Sequence, residues 1–265
     1  MKATPYTTAS LLIAWLKLLG LILLAVGLLW RGSQSLGYHW QWYRIPPYLW
    51  QTVDGRFVPG ALLSGLYVTL QITVVSLVLA LIIGLVTALL RLSKSWLGRW
   101  MARIYLETIR NTPLLVQLFF VYFVLAPVIG IQRFTAAVIA LSLFEGAYAS
   151  EIFRAGILTI PEGQWEAARS IGLSTAQAYR LVVLPQAIRN VLPPLTGQSV
   201  SLIKDSALVS TVAVYDLTMQ AQAIIADTYL VFEVWFTVAL IYLMVTGTLS
   251  MTVTLMERRM QRRFH

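Results

Sequence analysis

The chain has 265 residues, 58% of them hydrophobic and 12% charged, with a formal net charge of +9; an ordinary soluble domain carries about 25% charge. So few charges cannot cover a water-soluble globule, which makes lipid the expected solvent for most of the chain and excludes most cytosolic enzyme classes. The lack of cysteine removes disulfides, thiolate chemistry and iron–sulfur clusters; two histidines at opposite ends, His39 and His265, do not make a zinc site; and no GxGxxG or GxxxxGK(S/T) run offers a nucleotide site.

Leu11–Trp30 is the first expected membrane helix. Its apolar run is longer than that of a secretory signal and no A-x-A cleavage site follows, so it is expected to stay as an anchor, with Lys17 snorkelling from its inner end. Residues 31–60 place Tyr38, Trp40, Trp42, Tyr43, Tyr48 and Trp50 among the breakers Pro46, Pro47 and Pro59. That composition suits a membrane interface and, as a second reading, a docking surface for an outer partner.

Residues 57–90 carry no charge and form the second span, on which Thr69, Gln71 and Thr73 are polar. A basic stretch, 91–110, leads into a third charge-free span at 111–132, which contains Gln117. Phe134–Phe153 forms the fourth span despite Glu145 and Glu151, and a run from about Ile188 to Tyr215 forms the fifth, with Gln198, Ser199, Ser201, Lys204 and Asp205. Asp216, Asp227 and Glu233 follow in a connection where water is expected to solvate them. The charge-free stretch 234–256 is the sixth span, before a basic tail at 257–265. The expectation is an all-α integral membrane protein of about six transmembrane helices, with an N-terminal anchor and aromatic segment at 1–60 and a transmembrane domain at 61–256.

An N-terminus on the cytoplasmic side puts fifteen of the twenty basic residues inside, as the positive-inside rule prefers. The positive charge is thus a topology signal. No basic patch on a folded domain supports nucleic-acid binding.

The cytoplasmic loop 159–185 carries unusually complete helix signals. Thr159 and Glu162 are spaced as a capping box, Gly172 can take the left-handed conformation that stops a helix, Ser174 and Gln177 are spaced as a second capping box, and Pro185 ends or kinks the second helix. The product is helix, glycine hinge, helix, with Ala167 and Ala168 expected to be exposed beside Glu166. Such a pair either rests on the headgroups as an interfacial helix or docks in a groove of a soluble protein.

Glu166, Ala167, Ala168, Gly172, Val182, Leu184 and Pro185 reproduce the pattern EAA-x3-G-x9-I-x-LP, with Val for Ile as the one departure. This resembles the EAA loop of permease subunits in binding-protein-dependent ABC importers. The segments 107–117, 151–164 and 202–208 are similar to the subfamily that takes up polar amino acids such as His, Glu, Gln, Arg and opines. The resemblance covers about 60–260; Ser206 and Ala207 stand where that subfamily has Thr and Ser, and residues 1–60 lie outside its shorter five-helix form.

The resemblance implies an inner-membrane subunit with both termini cytoplasmic. It implies a pathway formed with a second permease, identical or related, two ATPases that carry ATP and Mg on their own chains, and an extracytoplasmic amino-acid-binding protein. No cofactor or metal is expected on this chain. Pro161, Glu162, Gly163, Glu166, Ala167, Ala168, Gly172, Leu184 and Pro185 become the ATPase-coupling residues.

Glu145 is the costliest residue by location, because a charge at the centre of a membrane helix costs about 2.5–3.5 kcal/mol on insertion scales. It either lines the pathway and meets a substrate ammonium or fixes helix packing. Thr69, Gln71, Gln117, Gln198, Lys204 and Asp205 are further pathway candidates; interhelical hydrogen bonding is the competing role for the uncharged ones, and an ion pair, an interfacial anchor or part of the gate are the other roles open to Lys204 and Asp205. The alternative to an importer permease is an ion-coupled secondary transporter or channel with its site at Glu145. An intramembrane enzyme would need a catalytic constellation that is not legible here.

Overall fold

The computed structural model describes residues 8–35 and 37–262, and the chain divides into two compact units, Met1–Trp42 and Tyr43–His265. In the first unit, α1 (Thr8–Ser35) carries the apolar stretch Trp15–Leu24. Among its described residues, Leu16, Leu18, Leu19, Leu21, Leu23, Leu24 and Leu28 are all exposed, as suits lipid contact. Beyond it Tyr38 meets Trp40 edge-on, and Trp40 stacks on Trp42 at 5.9 Å.

The second unit opens with α2 (Pro46–Leu49) and a hairpin of β1 (Trp50–Val53) and β2 (Arg56–Pro59), in which Trp50 pairs with Pro59 and Val53 with Arg56. Asp54 and Gly55 turn it, both at positive φ (51° and 73°), the turn an Asp-Gly pair favours. Gly60 then starts α3 (Ala61–Leu92), 32 residues or about 48 Å long. One face of α3 is lined by Gly65, Thr69, Ser76, Ala80, Gly84 and Ala88, all buried. Small residues at this spacing let membrane helices approach closely.

Next, α4 (Trp96–Arg110) is capped by Ser95, whose Oγ accepts from Gly98 N at 3.1 Å. A bend of 105° separates it from Leu114–Ile129, which comprises α5 (Leu114–Phe119), a π turn at Phe120–Leu125 and α6 (Ala126–Ile129). Within the charge-free stretch 111–132 the helical run is therefore Leu114–Ile129, which begins after Pro113 and ends at Gly130, with Pro127 following the π turn. The long helix α7 (Arg133–Leu158) packs along α3: a Cβ on Gly84 would lie 2.8 Å from Ala149 Cβ and 3.0 Å from Gly146 O.

The loop contributes α8 (Glu162–Ser170) and α9 (Thr175–Ala178). A second π turn at Tyr179–Val183 then leads into α10 (Leu184–Asp205) and a 3-10 segment, Ser206–Val212. Pro185 does not end the helical path. Like Pro127, it stands two residues beyond a π turn, which takes up the hydrogen bond and the space a proline denies to an α-helix. Two more helices, α11 (Leu217–Thr228) and α12 (Val231–Arg262), complete the unit.

Among the described residues, Ala61–Leu92, Arg133–Leu158 and Val231–Leu255 are long and apolar enough to cross a membrane. The bent pairs Trp96–Arg110 with Leu114–Ile129 and Thr175–Val212 with Leu217–Thr228 bring the candidates to five. One apolar core joins α3, α5 and α7 to the 3-10 segment through Ile72, Leu118, Leu141 and Val209. Another joins Ile45 and α3 to α11 and α12 through Leu62, Leu217, Leu230 and Val234.

The outer connection departs from expectation. Asp227 is exposed, but Asp216 and Glu233 are fully buried. The Asp216 carboxylate caps α11, accepting from Met219 N at 2.8 Å, so the end of a helix takes the place of water as its partner. Glu233 sits in the first turn of α12, where the helix dipole favours an acidic side chain.

Candidate functional site

The first capping box expected in the loop does not form. Thr159 Oγ1 donates back to Gly156 O at 2.9 Å and accepts from Asn190 Nδ2 at 3.0 Å, closing α7 rather than opening α8. The cause is Pro161: the residue before a proline avoids the α conformation, so no helix can begin across Ile160, and α8 starts at Glu162 with Pro161 as its N-cap residue.

From there the sequence pattern and the geometry agree. At Gly172, φ is +79°; Gly172 N donates to Arg169 O at 2.9 Å and Leu173 N to Ala168 O at 3.1 Å. This pair of bonds is a Schellman stop. Ser174 and Gln177 cap α9 reciprocally, with bonds of 2.9 and 3.3 Å.

Pro161, Glu162, Gly163, Glu166, Ala167 and Gly172 are exposed, as are Leu184 and Pro185 further along. Ala168 is not: at 2% exposure it faces inward, the opposite of the expected placement, because it lies on the side of α8 that packs against the bundle. On that side Trp165 meets the Tyr179 ring edge-on at 4.7 Å, and Gln186 Nε2 donates to Gln164 Oε1 at 3.2 Å. Ile157, Ile160, Val183 and Ala187 form the small core beneath. The loop is thus one packed piece with the start of α10.

Within the bundle, Glu145 on α7 is 1% exposed, and Gln198 Nε2 of α10 donates to its Oε2, while its Oε1 has no protein partner. The Asp205 carboxylate, at the end of α10, lies close enough to act on the same group. Glu145, Gln198 and Asp205 therefore come together, with Lys204 exposed alongside. The other candidates are spread apart. Thr69 Oγ1 bonds Gly65 O and accepts from Leu217 N, both at 3.1 Å, tying α3 to α11. Gln117 Nε2 donates to Ile109 O at 2.8 Å and Thr112 O at 3.0 Å, holding the 105° bend. Gln71 is exposed on α3.

A charge cluster that spacing reveals only in part gathers around Glu151 on α7. Its carboxylate takes Arg91 at 2.6 Å, Arg110 at 3.0 Å and Arg154 at 3.1 Å. Arg154 is one helical turn away and could have been inferred. Arg91 and Arg110, 60 and 41 residues distant, could not.

Residues 80–264 match the family described as binding-protein-dependent transport system inner membrane component. The chain is 42% identical over 217 residues to the L-cystine transport system permease protein TcyB of Bacillus subtilis (strain 168), an alignment spanning 80% of this chain and 92% of that protein. It is 40% identical over 203 residues to the glutamine transport system permease protein GlnP of Escherichia coli (strain K12), spanning 76% and 93%. The crystal structure of an amino acid ABC transporter with histidines is similar at a TM-score of 0.70 and 42% identity, over 75% of this chain and 94% of that chain. All three agree with the resemblance drawn from residues 166–185 and the segments around them.

Proposed function

We infer that this chain, which belongs to the family of binding-protein-dependent transport system inner membrane components, couples a polar amino acid pathway to a separate ATPase through α8. It is a permease component of the amino-acid ABC importers rather than an enzyme, as its relatives are. The observation that carries the coupling is the two-sidedness of α8. Glu162, Gly163, Glu166 and Ala167 are exposed for a soluble partner, while Trp165 packs on Tyr179 of the π turn, Gln164 bonds Gln186 of α10 and Ala168 is buried.

Two ATPases holding ATP and Mg grip the exposed faces of two such loops, one on each of two permeases, identical or related. Closure of the ATPases moves α8 with the start of α10 and switches the bundle between two states. An extracytoplasmic binding protein delivers the amino acid on the other side. Both termini are cytoplasmic, the side the charge distribution favours.

On the pathway, Glu145 and Asp205 supply negative charge to a substrate ammonium and Gln198 orients the Glu145 carboxylate. The chemistry suits a zwitterionic or cationic amino acid.

The test is substrate-stimulated ATP hydrolysis by the assembled transporter with its binding protein, run across a panel of amino acids. Stimulation by one polar amino acid is expected, and Gly172→Glu is expected to abolish uptake without abolishing membrane insertion. Uptake driven by an ion gradient alone, with no ATPase bound, would overturn this function in favour of secondary transport.

A further inference from the structure

The charge cluster around Glu151 is part of a larger feature. A cavity of about 520 Å³ opens between α4 and the C-terminal ends of α3 and α7, within the size range of pockets that hold small organic molecules. Its walls carry five arginines, Arg91, Arg99, Arg103, Arg110 and Arg154. Only two carboxylates, Glu107 and Glu151, stand against them, an excess of three positive charges. Glu151 is shared among Arg91, Arg110 and Arg154. Arg99 and Arg103, one turn apart on α4 and both exposed, make no ion pair among the described residues. Two guanidiniums left unpaired side by side match the oxygens of a phosphate group.

The outer surface of α4 says where that phosphate comes from. At about 100° per residue around the helix, the arginine side passes first to Trp96 and Trp100, stacked at 6.4 Å, and then to Ile104, Leu97 and Met101. All five apolar residues are exposed, Trp96 at 72%. A cationic face, an aromatic edge and an apolar face in sequence around one helix match the order of headgroup, interface and acyl chain in a bilayer. The 105° bend after Arg110 sets α4 across the helices that follow it, as an interfacial helix requires. A free phosphate would use the arginines but not this gradient.

We propose that the cavity between α4 and the ends of α3 and α7 binds the phosphate of an anionic phospholipid headgroup, with Arg99 and Arg103 as its principal contacts and Trp96 and Trp100 against the start of the acyl chains. This goes beyond the transport function. Which leaflet supplies the lipid rests on the orientation proposed above, whereas the headgroup chemistry does not.

The test uses the full chain in phosphatidylcholine vesicles with the same lipids in both leaflets, so it is independent of orientation. Brominated phosphatidylglycerol or brominated phosphatidylcholine is added, and the tryptophan quenching that disappears in W96F/W100F is measured. The wild type is expected to prefer phosphatidylglycerol, and Arg99→Gln with Arg103→Gln to lose roughly fivefold of that preference per arginine, the contribution of one basic side chain at an anionic surface. Arg99→Lys with Arg103→Lys is expected to keep most of it. Both side chains are exposed, so the variants should melt with the wild type; the single Arg103→Gln variant carries the test if the double variant does not fold. Equal preference in wild type and glutamine variant, or no preference at all, would overturn the proposal. So would release of phosphatidylglycerol by millimolar inorganic phosphate at matched ionic strength, which would assign the arginines to a free anion.

Discussion

Gly172 and Gly163 offer a matched pair for testing how α8 works. A Cβ at either would meet nothing within 4 Å, so substitution by alanine brings no clash at either site. They differ in backbone: Gly172 has φ +79°, whereas Gly163 lies in the first turn of α8 with no positive φ. An L-residue in the left-handed region costs about 1–2 kcal/mol. If φ relaxes to avoid that cost, the bonds from Gly172 N to Arg169 O and from Leu173 N to Ala168 O are lost. The native turn should therefore become about 5–30-fold less populated relative to its alternatives in Gly172→Ala. Gly163→Ala should instead firm the helix by up to about 1 kcal/mol.

The assay is substrate-stimulated ATP hydrolysis by the assembled transporter, with thermal melting of the chain measured beside it. Gly172→Ala is expected to lose stimulation by a factor in that range with little change in melting, since the turn is on the surface. Gly172→Asn should recover much of it, because asparagine tolerates the left-handed region. Full stimulation in Gly172→Ala, or a loss in Gly172→Asn as deep as in alanine, would show that the turn geometry does not carry the coupling.

Two further predictions address packing and charge. A Cβ at Gly156 would run into Val191 Cγ1, so Gly156→Ala should destabilise by about 1–3 kcal/mol. Val191→Ala should restore part of that in the double variant, and additive melting losses would disprove direct contact. Glu151→Gln leaves three arginines, whose side chains are 29–45% exposed, without their shared carboxylate. It should cost about 1–2 kcal/mol at low salt, less as salt screens the cluster, and an unchanged melting temperature at low salt would show the cluster to be structurally idle.

The loop was legible in the sequence because its determinants are local. Ser174 and Gln177 find each other three residues apart, and Gly172 needs nothing but its own backbone freedom. The missed start at Thr159 was local too, but two rules competed there, and the restriction Pro161 places on Ile160 prevailed over the capping-box spacing. Ala168 was misplaced because the sequence names small residues without saying which side of a short helix is covered. At Asp216 the acidic residue is followed by a helix start, a capping signal that its position in a connection obscured. The meeting of Glu145 with Gln198 and Asp205, and of Arg91 and Arg110 at Glu151, depends on how α3, α4, α7 and α10 pack, which no spacing along one element encodes.

The two π turns act on the angular phase of the bundle. Each admits one residue more than an α-helical turn would, so the side chains beyond it lag by about 100° from where an unbroken α-helix would place them. At Tyr179–Val183 this lag lies between the capped start of α9 and the helix that carries Gln198. The direction in which α8 is presented and the face on which Gln198 meets Glu145 are therefore set relative to each other by a residue count. Exchanging side chains in that turn leaves the phase alone, whereas adding or removing a single residue would rotate one site against the other.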